Sequence, residues 1–134
     1  MTFTWYPQFL DAEAAPKVKE FLDKELKKRP DLYQLTKDFL KKLKKVESLD
    51  EYYKTEIMEK LDGHLHEMKI PKKRPGGVVR IYFCYNPEDS LNLILLDAEL
   101  KHKTKPERLD NAKKRLNQYQ EYLNKGKKDE QRRK

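Results

Sequence analysis

Three apolar runs between residues 64 and 103 constrain this chain more than any other feature: LHEMKI, VVRIYFCY and LNLILLDAELK, separated by a Pro/Gly-rich loop, KKRPGG, and by the turn NPEDS. In the middle run a side-chain period of two puts Val79, Ile81, Phe83 and Tyr85 on one face and Val78, Arg80, Tyr82 and Cys84 on the other. The first of these faces is expected in the core; the second carries Arg80 beside Tyr82. The preceding run alternates as well, with Met68 and Ile70 opposite Leu65, Glu67 and Lys69, so antiparallel pairing brings Lys69 near Arg80. The third run is apolar from Leu93 to Leu96, as expected of a strand buried on both sides, and leaves through Lys101, His102 and Lys103. Together they predict a three-stranded antiparallel sheet with basic side chains on an open face. A basic cluster at a strand end points to phosphate.

The flanking sequence predicts what covers this sheet. An aromatic segment from Thr2 to Phe9, interrupted by Pro7, suits an edge strand. Val18, Phe21, Leu22 and Leu26 trace a helical face after Pro16, and Pro30 separates it from a second stripe of Leu32, Leu35, Phe39, Leu43 and Val46, predicting a helical hairpin. Ser48 with Glu51 forms a capping-box pattern, and Tyr52, Tyr53, Ile57 and Leu61 extend it into a third, short helix ended by Gly63. Leu109, Ala112, Leu116, Tyr119 and Leu123 predict a final helix seated on the sheet, ended by Gly126. The expectation is one α+β domain over residues 1–124 followed by a basic, flexible tail over 125–134.

At 134 residues the chain is long enough for one core and too short for two. A formal charge of +8, with 40% charged residues, points to polyanionic partners, with an anionic membrane surface as the competing class. No uncharged run is long enough to span a bilayer and the N-terminus lacks a signal-peptide pattern, so a cytoplasmic protein without membrane partners is expected. Cys84 is the sole cysteine and lies mid-strand, which favours a buried thiol and leaves no disulfide. His64, His66 and His102 lack metal-ligand spacing with it, so neither metal nor other cofactor is expected. His66 shares the Met68 face, where packing and a hydrogen bond are its expected roles. Gly76 and Gly77 read as a hairpin loop with basic neighbours, since no nucleotide-binding fingerprint surrounds them.

The succession HLHEMKI, GGVVRIYF, LILLDAELKHKTKP and ERLDNAKKRLNQY resembles the RelE/ParE superfamily of bacterial toxins, in particular its HigB-like, phage-type branch. That branch typically shows a strand like yELRi, a glycine before an Arg-containing strand, a Lys-Lys-Thr segment before Pro, and a helix with A-x-x-R. Here these fall at 66–70, 77–83, 101–106 and 112–115, and the resemblance covers the chain to about Leu123. Two departures stand out: Glu99 where an aromatic is common, and His102 where a second Lys is common.

The resemblance implies a small antiparallel sheet, made of an N-terminal strand and a three-stranded meander, with a helical hairpin and a C-terminal helix on one face. It implies a type II toxin acting as a ribosome-dependent messenger-RNA endoribonuclease in the bacterial cytoplasm. Its expected partners are mRNA, the ribosome and a cognate HigA-like helix-turn-helix antitoxin, in a toxin–antitoxin hetero-oligomer. The chemistry is attack of a 2′-hydroxyl on the adjacent phosphate, with protein cations in place of a metal. Arg80 is the candidate for the scissile phosphate, Lys69 and Lys101 assist as point charges, His102 exchanges a proton, and Glu67 acts as base or orients Lys69 and Arg80. Lys72, Lys73, Arg74, Tyr82 and Lys103 are the candidate RNA contacts. Other superfamily members poison DNA gyrase, so a gyrase inhibitor remains an alternative, as does a non-catalytic basic nucleic-acid-binding module.

Overall fold

The computed structural model describes residues 1–73, 76–101 and 108–132, with side chains left out of account at 101 and 127–132. Strand β1 (Thr2–Trp5) leads into helix α1 (Lys17–Lys24), which ends in a tight turn at Leu26–Lys28; helix α2 (Pro30–Leu43) follows. Pro30 occupies the first turn of α2, where its missing N–H breaks no helical bond and its fixed φ starts the helix. A short α3 (Asp50–Lys54) then precedes four strands in succession: β2 (Met58–Asp62), β3 (Leu65–Ile70), β4 (Val78–Asn86) and β5 (Asp89–Lys101). Helix α4 (Leu109–Arg132) closes the described chain.

The strands form one five-stranded sheet in the order β1-β5-β4-β3-β2. All pairs are antiparallel except β1 with β5, which run parallel with Phe3 opposite Leu93. The sheet is therefore mixed, and its meander has four strands where three were expected. The extra one is β2. Residues 57–61 have apolar side chains at Ile57 and Leu61, the helical spacing that predicted a longer third helix. The chain instead leaves α3 through Glu56, at φ 62°, and pairs Met58 with Met68. Asp62 stands opposite Leu65, so the hairpin loop is Gly63-His64, and Gly63 at φ 56° supplies the left-handed conformation that such a two-residue turn needs. As the outer strand, β2 buries only Met58 and carries Glu59, Lys60 and Asp62, charges that blunt an exposed sheet edge.

Both faces of the sheet are covered, which corrects the expectation of one open face. Val18, Leu22, Leu32 and Leu43 from the N-terminal helices pack on Met68, Ile70, Val79, Ile81 and Phe83. On the other side Ala112, Leu116 and Tyr119 of α4 pack on Leu65, Tyr82, Cys84, Ile94 and Leu96. The uninterrupted apolar run of β5 is the sequence counterpart of this double burial. Phe83 has no exposed surface and stacks on His66 at 5.5 Å. Phe83→Ala is expected to cost about 3–5 kcal/mol in urea unfolding, from lost transfer energy and the cavity left behind.

Helix α4 runs through Gly126 to Arg132, past the expected stop. Among the described residues nothing lies within 4 Å of where a Cβ at Gly126 would sit, and a solvent-facing glycine costs a helix only about 1 kcal/mol. The Lys, Glu, Gln and Arg around it are good helix formers, which offsets that cost.

Candidate functional site

Strand register brings together the centre of the predicted site. Lys69 stands opposite Arg80, Glu67 opposite Tyr82, and Arg80 opposite Glu99, so alternation sends Glu67, Lys69, Arg80, Tyr82 and Glu99 to the α4 side of the sheet. Arg80 donates from its guanidinium to Glu67 Oε2 at 3.0 Å, a pair whose side chains are 16% and 3% exposed. Lys69 Nζ donates to Glu59 at 2.9 Å across the β2–β3 pair. Both cations thus have carboxylate partners inside the fold. Arg80 keeps donors in reserve: its Nε is buried without an acceptor among the described residues, and a guanidinium has five N–H groups in all.

Next to this pair lies a second polar lattice. Tyr82 is fully buried and its hydroxyl donates to Glu99 at 3.0 Å. Burial, reinforced by the adjacent Glu99 charge, pushes the phenol well above its ordinary value, so Tyr82 remains a neutral donor. A register shift between Tyr82 and Phe83 places two consecutive β5 residues, Leu96 and Asp97, toward α4. Asp97 accepts from the Ala98 backbone N–H (2.8 Å), Arg108 (3.0 Å), Asn111 (2.8 Å) and Arg115 (3.3 Å). Arg115 also donates to the Leu96 carbonyl at 2.7 Å and stacks over Tyr6 at 4.3 Å. Beyond the reach of β1, a cleft of about 500 Å³ opens along β5 between Asp97, Glu99, Arg108 and Arg115 on one side and Lys17 and Phe21 of α1 on the other.

The sequence-predicted residues divide cleanly. Glu67, Lys69 and Arg80 are brought together. Lys101 pairs in register with Val78, which puts its backbone two residues along from the Arg80–Glu99 pair. Tyr82 is corrected from RNA-facing to core: the expected open face is occupied by α4, so its ring cannot stack on a base. Lys72 is exposed and pairs loosely with Glu56 at 3.7 Å; Lys73 is exposed in the same loop. Arg74, His102 and Lys103 lie outside the described residues. The lattice members Asp97, Arg108, Asn111 and Arg115 were not expected. An acid directly after the apolar run LILL was the available signal for Asp97, because a carboxylate buried in an apolar strand needs cationic or N–H partners.

On the opposite face His66 does what its position predicts. Its Nδ1 lies 2.7 Å from the Tyr53 hydroxyl, which in turn lies 2.7 Å from the Tyr85 hydroxyl. Burial, then the nearby Lys60 and His64 charges, lowers His66 from 6.5 to about 4. The unfolded chain therefore takes this proton first as pH falls. The neutral ring contributes stability that is full above pH 6.5 and is lost as pH drops toward 4. His66→Phe is expected to flatten urea-midpoint dependence on pH in that window relative to the parent, whereas parallel curves would show that His66 is not responsible.

The sole thiol, Cys84, is buried and pushed up to about 12 by its apolar surroundings, so it is not a nucleophile at neutral pH. Among the described residues no helix is long and apolar enough to cross a membrane. Comparisons with protein-family models, with curated proteins and with solved structures give no match to this chain.

Proposed function

We propose that the protein is a ribosome-dependent endoribonuclease that cuts messenger RNA, the toxin of a toxin–antitoxin pair silenced by a cognate helix-turn-helix antitoxin. The observation that carries this reading is the Glu67–Arg80 pair, a carboxylate and a guanidinium held at 3.0 Å beside Lys69 and next to the strand that leads into Lys101. Arg80 uses its remaining donors on the scissile phosphate and offsets the charge that develops in the transition state. Glu67, bound to Arg80, fixes the guanidinium and can accept the proton of the attacking 2′-hydroxyl. The products are a 2′,3′-cyclic phosphate and a 5′-hydroxyl, and the proton on the leaving oxygen comes from His102. His102→Gln is accordingly expected to lower the rate and flatten its pH dependence near neutrality; an unchanged profile assigns proton transfer elsewhere.

One observation favours a second reading. Lys69 and Arg80 both have internal carboxylate partners, as structural cations do, which fits a basic nucleic-acid-binding module without chemistry on this face. The test is incubation of purified protein with ribosomes carrying a defined message, mapping of RNA 5′ ends, and a parallel gyrase supercoiling assay. Codon-linked cuts with 5′-hydroxyl ends are expected. Intact RNA with arrested supercoiling would replace this reading with gyrase inhibition, and binding without either effect with the non-catalytic module. Growth arrest relieved by the product of an adjacent gene tests the antitoxin.

A further inference from the structure

A groove of about 660 Å³ runs between β1 and the α1–α2 hairpin, on the side of the sheet away from Arg80 and Glu67. Its volume falls in the range of small-ligand sites. Phe3 and Trp5, edge to face at 6.2 Å, form one wall and Tyr33 of α2 stands across from them. Thr36 also lines it: this residue is 1% exposed, and its hydroxyl has no hydrogen-bond partner among the described residues. A buried hydroxyl without a partner costs about 1–3 kcal/mol, a cost removed by any ligand that brings a donor or acceptor to it.

Charge around the groove is net positive, with Lys19, Lys37, Lys41 and Lys44 against Asp23 and Asp38. Lys37, Lys41 and Lys44 recur at helical spacing along one ridge at the end of α2, and Lys19 of α1 joins them at the rim. None of the four makes an ion pair among the described residues, although Lys37 lies 5.2 Å from the Tyr33 ring centre and Lys44 5.9 Å from that of Phe3. The two acids present have other partners: Tyr33 donates to Asp23 at 3.3 Å, and Gln34 donates to Asp38 at 2.9 Å. An aromatic wall, an unsatisfied hydroxyl and unpaired ammonium groups together describe a receptor for a molecule that is apolar at one end and anionic at the other.

We propose that this groove binds a small amphipathic anion, an aromatic or short aliphatic body bearing a sulfonate, carboxylate or phosphate group. The body lies against Phe3, Trp5 and Tyr33, the anionic head sits among the α2 lysines, and a polar atom of the body meets Thr36. The site is independent of the proposed ribonuclease face. Trp5 is the only tryptophan in the chain and lines the groove, so its emission reports occupancy directly. The experiment titrates the full-length protein with 1-anilinonaphthalene-8-sulfonate, exciting Trp5, alongside N-phenyl-1-naphthylamine, the same ring system without the anion. Saturation at one equivalent with quenching of Trp5 is expected, with at least tenfold weaker binding of the neutral analogue. The double variant Lys37→Glu, Lys41→Glu is expected to weaken binding of the sulfonate at least tenfold. Thr36→Val, which removes only an unsatisfied hydroxyl and so leaves the fold intact, is expected to weaken it severalfold. Trp5 emission that does not respond, equal affinity for the neutral analogue, or binding unaffected by the lysine reversals in a folded protein would each overturn the proposal.

Discussion

Asp97→Ala is expected to destabilise the protein by about 3–5 kcal/mol, the range found when one partner of a buried ion pair is removed and the other is left behind. The carboxylate is 4% exposed and gathers the Ala98 N–H, Arg108, Asn111 and Arg115 around it. Without it the Arg115 guanidinium, only 12% exposed, keeps the Leu96 carbonyl and the Tyr6 ring but has no other ion-pair partner among the described residues. Three of those four partners, Arg108, Asn111 and Arg115, lie just before α4 or in its first two turns, so the loss should fall on the docking of that helix. Urea unfolding gives the magnitude, and hydrogen exchange at Ala112, Leu116 and Tyr119 gives the location. Asp97→Asn, which keeps the shape and an acceptor, is expected to fall between parent and alanine variant. A cost under about 1 kcal/mol, with α4 amides still protected, would mean that apolar contacts alone seat the helix.

The sheet was legible because its signals are local and redundant. In β3 and β4 a period of two separates Met68, Ile70, Val79, Ile81 and Phe83 from Glu67, Lys69 and Arg80, and the pairing of Lys69 with Arg80 follows once that alternation is read. Both bounding prolines of the helical hairpin punctuate the chain where the structure does. β2 was not legible for a physical reason: an outer strand buries only Met58, so its alternation is faint, while Ile57 and Leu61 happen to sit at helical spacing. Asp62-Gly63 was the local clue, a dipeptide that ends helices and turns hairpins equally well.

The site was half legible. Which residues share a face follows from alternation, but what covers that face depends on how a distant helix docks. Tyr82 shows the difference. Its face was assigned correctly, and its exposure was not, because Ala112, Leu116 and Tyr119 arrive over it from a helix whose docking side is not written in β4. Glu99 stands at a position that pairs with Arg80, and it is held by Tyr82 and the Arg108 backbone. A carboxylate there suits a buried hydrogen-bond lattice, which a single sequence gives no means of foreseeing. The parallel pairing of β1 with β5 is equally hidden, since the four residues of β1 carry no mark of direction.

On the proposed ribonuclease reading, Arg80→Ala is expected to have the largest effect on activity, lowering ribosome-bound message cleavage about a hundredfold or more through loss of a transition-state charge stabiliser. The same change also costs stability, because Glu67 is 3% exposed and would lose the guanidinium that donates to it at 3.0 Å. An inactive Arg80→Ala protein is therefore ambiguous until folding and chemistry are separated. The pair Glu67→Leu with Arg80→Met separates them: it replaces both charges by apolar side chains of similar size, so stability should return toward the parent while cleavage stays low. Arg80→Lys keeps the charge and loses the planar fork, and should recover only part of the rate. Glu67→Gln alone divides the remaining roles. A loss as deep as that of Arg80→Ala assigns Glu67 the proton, whereas a loss of a few fold leaves it the task of orienting the guanidinium. Circular dichroism and urea midpoints must accompany each rate. A folded Arg80→Ala variant that cleaves like the parent, or a stable double variant that does so, would move the reaction off this face of the sheet.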